Sequence, residues 1–594
     1  MKKITVGLAM IVRNEEANLA RCLDSVRDVV DEIVIVDTGS SDMTVEIAKL
    51  YTDKVYYFPW GGDFSAARNY ALEKTSSTWV LSLDADEELD STSGDLRALV
   101  SNDRGYEAYF LPLHSLTDES SRSFTRFFVL RLFCNKPEYR FQGKIHEQVV
   151  VSSPEVVGIA EGPVIWHRVV SGRDRNRKRG RNLALLIEAV SSEPKNPFLQ
   201  YYLGVEWLGL GKAERAVPCF QRVCEELSDD HILFRAPALR YLIASLRALQ
   251  RYDEAICVCL RESLHYPFYT DLFFEGGLLF EEKGEYEIAI KWFQEAITCG
   301  QPPLLFCHTS GTESFLSLYH LGYCYEKLGR FQEARNYYQQ ALRSNPDYVY
   351  PVSNLFLLEL SEKGPRGAFK YFQASGYLQY LQVVRVLATL FFEAGYADLA
   401  CACYQEAGYD GSKLSGDDLR LLVKLQVYGG QFEEALSLFP RIREATGEED
   451  TGLIADEVVA LVLKGDYRTA KRKALSLWRF PDARSTAWAL LNLISYSWIC
   501  SFSGRPEEKR DPEVIRAVLE IIENCLRSPI RHLRRERLED FPGYRRLVSA
   551  GMKFLIQFSP QGCQALAAYL QGKARSIRFV LTARCAPLRG FFGD

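Results

Sequence analysis

Near its start the chain sets down four short, mostly apolar runs without charge: Ile4 to Val12, Ile33 to Val36, Val55 to Phe58 and Trp79 to Leu83. Runs this short, rich in β-branched and aromatic side chains, read as strands covered on both faces rather than as helices. Between them the period changes. Leu19, Cys22, Leu23 and Val26 recur at the spacing of an amphipathic helix, with Asn14 as candidate N-cap and Glu15 and Glu16 in the first turn, where the helix dipole favours acids. The small polar residues from Asp37 to Asp42 suit a turn into a second helix around Thr44 to Leu50. Asp63 or Ser65 then caps a third, which carries Ala67, Tyr70 and Ala71. Strand and helix in alternation predict a right-handed parallel α/β layer. Tyr106 to Leu113 and Phe127 to Phe133 are β-rich and predict further strands where the alternation ends.

Further along, the pattern becomes a repeat. Leu318, Leu321, Gly322, Tyr325, Ala334, Tyr338, Ala341 and Pro346 fall on the tetratricopeptide template of a large residue, Leu-Gly, an aromatic, then Ala, aromatic, Ala and Pro. The frame returns at Leu203-Gly204, Trp207, Ala216 and Phe220, and at Gly277, Phe280, Ala289, Phe293 and Ala296. The marker alanines Ala216, Ala255, Ala289, Ala334, Ala368, Ala400, Ala435 and Ala470 are 39, 34, 45, 34, 32, 35 and 35 residues apart. Small residues are needed there because the two helices of each pair touch closely. The prediction is an all-α solenoid of roughly eight helical hairpins. The two long steps predict insertions, one near Cys224 to Phe234 and one near Gln301 to Ser314. A solenoid offers a groove for extended or helical peptide segments; a spacer without a partner is the plainer alternative. Trp488 to Trp498 and Val514 to Leu526 keep helical spacing, so the tail reads as a helical cap or a contact between two copies of the chain.

Composition narrows the class. At 594 residues the chain exceeds what one core serves, and 47% hydrophobic with 25% charged residues is ordinary globular usage. A net charge of -5 gives no footprint for general nucleic-acid binding. Met1-Lys2-Lys3 ahead of an apolar run imitates a signal peptide, but the run stops at Arg13 without a small-residue cleavage site and reads as the first strand. No uncharged apolar run is long enough for a transmembrane helix. The 15 cysteines match no zinc or redox spacing, so reduced thiols in a cytoplasmic protein are expected.

Candidate chemistry gathers where the fourth strand ends in Asp84, Asp86, Glu87 and Glu88. Ligands of open α/β sheets bind beyond the carboxyl ends of the strands. Two acids separated by one residue can hold a hard divalent cation from one side and leave the other for water and phosphate oxygens. The second strand also ends in an acid, Asp37, so both meet one crevice that Arg68 on the intervening helix can reach to neutralise phosphate. Each residue has a plainer reading: Asp84 and Asp86 as caps of the next turn, Asp37 as a turn former, Arg68 as a solvated helix charge. Six cations from Arg173 to Arg181 can clamp a diphosphate or simply form a solvated helix face. His167 is a further candidate metal ligand.

The ordered set Ala9 to Glu15, Val36 to Asp42, Asp63 to Asn69 and Leu83 to Glu87 resembles family 2 glycosyltransferases of the GT-A fold. The resemblance covers about the first 180 residues. It implies a GT-A, Rossmann-like nucleotide-diphospho-sugar transferase domain over residues 1–190, ahead of a tetratricopeptide solenoid at 191–480 and a helical cap at 481–594. By resemblance Asp37 and Thr38 lie at the nucleotide base and ribose, Arg68 and Asp84 face the nucleotide, and Asp84 and Asp86 bind Mg2+ or Mn2+. Phe141 to Glu147 is similar to a G-x-x-H-E pattern in the repeat-bearing branch of this family. Glu147 is the candidate general base, with Asp86 and Glu87 in reserve, and His146 orients it or completes the metal shell. A hydrogen-bonded pair at a strand edge is the alternative for these two. The implied activity is a hexosyltransferase-like, inverting transfer from a nucleotide-sugar, a UDP-sugar first among them, to a peptide or protein held by the repeats. Transfer to a surface polysaccharide or lipid-linked glycan, and a non-catalytic scaffold, are the alternatives.

Overall fold

The computed structural model describes residues 4–101, 105–118, 123–168, 172–414, 416–446, 450–498, 512–526, 546, 547, 550 and 551. The side chains of Arg173 to Lys178, most of the expected diphosphate clamp, lie outside the described residues, as does most of the tail. The chain divides into two compact units, Met1–Cys324 and Tyr325–Asp594.

In the first unit the alternating pattern gives β1 (Val6–Val12), α1 (Leu19–Val26), β2 (Glu32–Asp37), α2 (Thr44–Ala48), β3 (Val55–Tyr57), α3 (Phe64–Lys74) and β4 (Trp79–Leu81). The four strands are parallel in the order β3-β2-β1-β4. β1 is apolar throughout because both its faces are covered. On one face α1 packs Leu19, Cys22, Leu23 and Val26 with Leu8 and Met10, and on the other α3 packs Ala71 and Leu72 with Ala9 and Val36. Full burial of each large side chain contributes about 1.5–3 kcal/mol. Asp63, one of the two expected caps, accepts the Ala66 N–H and starts α3.

The expected cap of α1 is corrected. Asn14 stands before the helix in a left-handed backbone, φ 54°, and the helix begins only at Leu19. A short polar side chain tolerates that conformation when it bonds locally. Here the Asn14 carboxamide oxygen accepts from Ser41 N at 2.7 Å, and Glu15 N donates to Thr44 Oγ1 at 2.8 Å. The loop after β1 is thereby tied to the loop after β2.

Beyond β4 the sheet turns mixed. β5 (Glu87–Asp90), α4 (Leu96–Ser101), β6 (Ala108–Asp118), β7 (Ser123–Cys134), β8 (Arg140–Gln142), β9 (Gln148–Val150), β10 (Val157–Ile159) and β11 (Val164–His167) follow. The sheet continues β4-β7-β6-β11-β5, and β8 and β9 form a separate two-stranded ribbon. β6 and β7 match the expected strands; β5 and β11 carried no such expectation. Along the β6–β7 ladder Tyr109 faces Leu132 and Phe110 faces Leu130, which leaves Arg131 as the extra residue of a bulge.

Up to Cys299 the rest of this unit is helical: α5 (Gly172–Ser192), α6 (Pro197–Gly209), α7 (Ala213–Glu226), α8 (Ile232–Ala248), α9 (Tyr252–His265), α10 (Thr270–Glu282) and α11 (Tyr286–Cys299). Gly204 and Gly277 show why the template asks for small residues. A Cβ there would lie 2.8 Å and 2.5 Å from the rings of Phe220 and Phe293. The marker alanines are likewise fully buried, all eight at 0% exposure, which the close approach of paired helices requires. In the second unit the pairing continues with Leu381–Glu393 and Ala397–Glu406, Gly416–Tyr428 and Phe432–Thr446, and Thr451–Lys464 and Tyr467–Ser476.

The insertion expected near Gln301 to Ser314 forms β12 (His308–Thr309), which pairs antiparallel with Arg126 and Thr125 of β7. A strand from the repeats therefore extends the N-terminal sheet. Behind it Asp271 of α10, wholly buried, accepts from His308 Nδ1 and from Thr309 N, each at 2.7 Å, and pairs with Arg240 of α8 at 3.2 Å.

Candidate active site

The carboxyl ends of β1, β2 and β4 open on one edge of the sheet. Asp37 ends β2 two strands from β4, about 10 Å at ordinary strand spacing. Its carboxylate accepts from Gly39 N at 3.0 Å and Ser40 N at 3.1 Å, the turn-forming arrangement, with Gly39 at φ 103° where a side chain would be strained. Thr38 donates its hydroxyl to Val12 O at 3.1 Å. Both residues are buried and fix the loop that lines this edge.

At the end of β4 the acids are held by two arginines. Arg68, buried on α3, donates through Nη2 to Asp84 Oδ1 at 2.6 Å, through Nη1 to Ser82 Oγ at 3.2 Å, and through Nε to Glu147 Oε1. Arg131, aimed by the β7 bulge, donates through Nη2 to Asp84 Oδ2 at 2.7 Å and to Glu87 Oε1 at 2.6 Å. Glu87 also accepts the Asp84 N–H at 2.9 Å, which closes the turn after β4. Burial opposes ionisation of Asp84, but Arg131 and Arg68 outweigh it and hold the carboxyl far below its usual range. For Glu87 the balance goes the other way: burial first, then the Asp84 charge, raises it against the pull of Arg131. Burial weighs against the charge of both arginines, yet the facing carboxylates raise each above its ordinary value.

Asp86 points elsewhere. Its Oδ2 lies 3.7 Å from Nε2 of His167, which β11 brings opposite Glu87, and whose Nδ1 faces Ser115 Oγ at 3.3 Å. The Asp86 carboxylate beside it raises the His167 imidazole against burial. Among the described residues no group of three or more His, Cys, Asp or Glu is gathered to hold a metal ion. Both oxygens of Asp84 face guanidinium groups, so the expected set of Asp84, Asp86 and His167 reduces to two free donors. An ion held by these two would have to take its remaining ligands from water and diphosphate oxygens.

Glu147 joins the network through Arg68, whereas His146 faces away from Asp86. The His146 ring stacks on Tyr202 of α6, centroids 3.9 Å apart and planes 2° from parallel, with Nε2 3.9 Å from Glu206. Burial alone drops this imidazole to about 4. Of the residues singled out from sequence, Arg68, Asp84 and Glu147 thus form one cluster, Asp86 and His167 a second contact, and Asp37 and Thr38 the neighbouring loop. Glu87, a reserve base, is 2% exposed and serves to orient Arg131. Arg131 was missed, although one cation in the apolar run Phe127 to Phe133 is itself a signal: a charge buried in a strand requires a partner.

Residues 8–104 match the profile of Glycosyl transferase family 2, and residues 315–348 match that of the tetratricopeptide repeat. A TPR repeat-containing protein of Synechococcus elongatus is 37% identical over 34% of this chain and 51% of its own length. The SPbeta prophage-derived glycosyltransferase SunS of Bacillus subtilis is 29% identical over 36% of this chain and 51% of its own. The lipopolysaccharide core biosynthesis glycosyltransferase LpsC of Rhizobium meliloti is 32% identical over 25% of this chain and 58% of its own. The chain thus spans little more than half the length of these relatives. Among the described residues no helix is long and apolar enough to cross a membrane. With its parallel strands, carboxyl-edge acids and buried repeat alanines, the chain carries a glycosyl transferase family 2 domain followed by a helical region containing a tetratricopeptide repeat.

Proposed function

We propose that the first unit is a metal-dependent, inverting glycosyltransferase that moves a sugar from a nucleotide-sugar, a UDP-sugar first among them, to a peptide or protein acceptor docked by the repeats. One observation carries this reading. On the carboxyl edge of a parallel sheet a single arginine, Arg68, joins Asp84 at the end of β4 to Glu147 on a distant loop, while Asp86 faces His167 nearby.

In this reading Asp37 and Thr38 line the base and ribose. Arg68 and Arg131 hold Asp84 in one orientation, so the turn that carries Asp86 does not reorganise when the donor arrives. Asp86 and His167 would hold a Mg2+ or Mn2+ ion, which when bound supplies charge neutralisation for the diphosphate. Glu147 has one oxygen on Arg68 and offers the other to the acceptor. As the acceptor atom bonds to the anomeric carbon, its proton passes to Glu147 and the bond to the nucleotide diphosphate breaks, leaving its electron pair on the departing phosphate. General-base help of this kind contributes about 10²- to 10⁴-fold in rate.

The test is release of UDP from a panel of UDP-hexoses with Mn2+ present or chelated, for the full chain and for Asp86→Ala. Metal-dependent release, lost in the variant, is expected; equal release by both proteins sinks the reading. A second reading, transfer to a surface polysaccharide or lipid-linked glycan, draws on the name of the Rhizobium relative. Product masses after incubation with peptide or with glycan acceptors separate the two.

A further inference from the structure

The first helix of the repeat region bears directly on the loop that carries Glu147. Tyr202 on α6 contacts both neighbours of that residue: its ring stacks on His146 at 3.9 Å and its hydroxyl accepts from Gln148 Nε2 at 3.3 Å. The loop needs such a support. His146 adopts a left-handed backbone, φ 51°, which a side-chain-bearing residue keeps only when its surroundings over-determine it, at a cost of about 1–2 kcal/mol. The start of the loop is anchored separately, by Ser65 Oγ donating to Gly143 O at 2.6 Å and Phe64 N donating to Lys144 O at 2.9 Å. Between those anchors and Tyr202, the Glu147 side chain lies against Arg68.

Helix α6 is itself firmly placed. Asn196 caps it through Phe198 N and Leu199 N, Glu206 accepts from Arg179 at 3.0 Å and Asn182 at 3.1 Å on α5, and Gly204 lies flat against the Phe220 ring. Ile145 from the same loop shares a small core with Leu186, Leu203 and Cys219, so the loop and the first hairpin are one packed body.

We propose that Tyr202 is a positioning residue of the transfer site: by clamping His146 and Gln148 it fixes Glu147 against Arg68, and the first repeat is therefore part of the transfer machinery rather than a detachable acceptor dock. The inference rests on the proposed transferase reading for its kinetic consequence but not for its structural one. A misplacement of about 1 Å at a reacting group costs about 10²-fold in rate, so loss of the clamp falls on kcat, while the donor KM, set at the other end of the crevice, stays within about twofold.

The experiment uses the full chain with Tyr202→Phe, Tyr202→Leu and Tyr202→Ala. Leu keeps apolar bulk without a stacking ring and guards against a variant that fails to fold, which circular dichroism monitors. Hydrogen–deuterium exchange of the peptide spanning residues 143–149, and UDP release from UDP-hexoses with Mn2+, are read in parallel. Expected are faster exchange in that peptide for Leu and Ala, protection kept by Phe, unchanged exchange in α7, and a kcat loss of about 10- to 100-fold that Phe recovers to within about threefold. Protection retained in the Leu and Ala variants overturns the proposal, as does a loosened loop with undiminished kcat. Absence of turnover in the unaltered chain counts against the transferase reading alone, and the exchange arm then decides whether Tyr202 holds the loop.

Discussion

Arg131→Met removes the one cation shared by Asp84 and Glu87, and the loss can be sized from the geometry. The Arg131 and Glu87 side chains are 15% and 3% exposed and 2.6 Å apart. Breaking a buried pair by deleting one partner costs about 3–5 kcal/mol, because the survivor stays buried and uncompensated. Asp84 is 40% exposed and keeps Arg68, so its share is screened to about 1 kcal/mol or less. At about 2 °C per kcal/mol for a large unit, melting of the first unit drops by about 6–10 °C. The sign of the pH dependence follows from Glu87. Burial already raises its folded pKa, and without Arg131 it rises further, so across the window above the unfolded carboxyl value the native state binds the extra proton. Stability then increases as pH falls, and the deficit of the variant is largest near neutrality and shrinks toward about pH 5. Scanning fluorimetry with circular dichroism between pH 5 and 8 reads this directly. Adding Glu87→Gln to Arg131→Met recovers most of the loss at every pH, since no unpaired charge remains. A pH-independent drop below about 2 °C, or a double variant no better than the single one, refutes the charge-compensation argument.

Three further outcomes are expected. Glu147→Gln lowers kcat about 10²- to 10⁴-fold with the donor KM nearly unchanged, measured as steady-state transfer; a matching rise in KM instead assigns Glu147 to donor binding. Burial works against the charge on His308, but the hydrogen bond to Asp271 and the Glu313 carboxylate 3.3 Å from Nε2 lift it to about 8, with Arg126 across the ladder and Arg240 beside Asp271 as the opposing charges. Its contribution, about 2 kcal/mol, is complete below about pH 6.5 and is lost as pH rises through 8, so the melting profile slopes downward there and His308→Asn flattens it. A chain ended after residue 192 lacks Leu203, Cys219 and β12, which bares Ile145 and Leu186 and opens the β7 edge at Thr125 and Arg126; it elutes as aggregate where the full chain does not.

The strands, the helices between them and the repeat pairs were legible because each is set by local period. Leu19, Cys22, Leu23 and Val26 form one buried stripe, and the eight marker alanines are each wholly buried. What was not legible depends on register. No local pattern says that one residue of β7 drops out of the ladder, yet that bulge is what aims Arg131 at Asp84. Glu87 to Asp90 carries three acids and reads as a polar turn; it is a strand because β11, some eighty residues later in the chain, offers it a ladder. His308-Thr309 lies between Pro302-Pro303 and Gly311 and reads as a loop for the same reason. The acids of the site and Arg68 were found because they sit at a strand end and on the helix beside it, whereas Arg131 was missed because it comes from an element whose pairing is non-local.

The arrangement of charge at the sheet edge constrains how a donor is bound. Arg68 and Arg131 face three carboxylates, those of Asp84, Glu87 and Glu147, so that formally the five groups carry a single negative charge, and Asp86 adds another beside them. Arginines that would otherwise attract a diphosphate are already neutralised, and a nucleotide diphosphate approaching this edge alone meets net repulsion. In the proposed reading, binding therefore requires added positive charge, from a divalent ion that Asp86 and His167 would hold or from the basic segment that begins at Arg173. The two sources respond differently to conditions. An ion held by a carboxylate and an imidazole is removed by chelation at any ionic strength, whereas attraction by solvated arginines and lysines survives chelation and fades with salt, over a screening length of about 10 Å at 0.1 M. Titration of UDP into the chain at low and high salt, with Mn2+ or with chelator, distinguishes them, and UDP binding that persists in chelator and high salt together contradicts the charge assignment made here for Arg68 and Arg131.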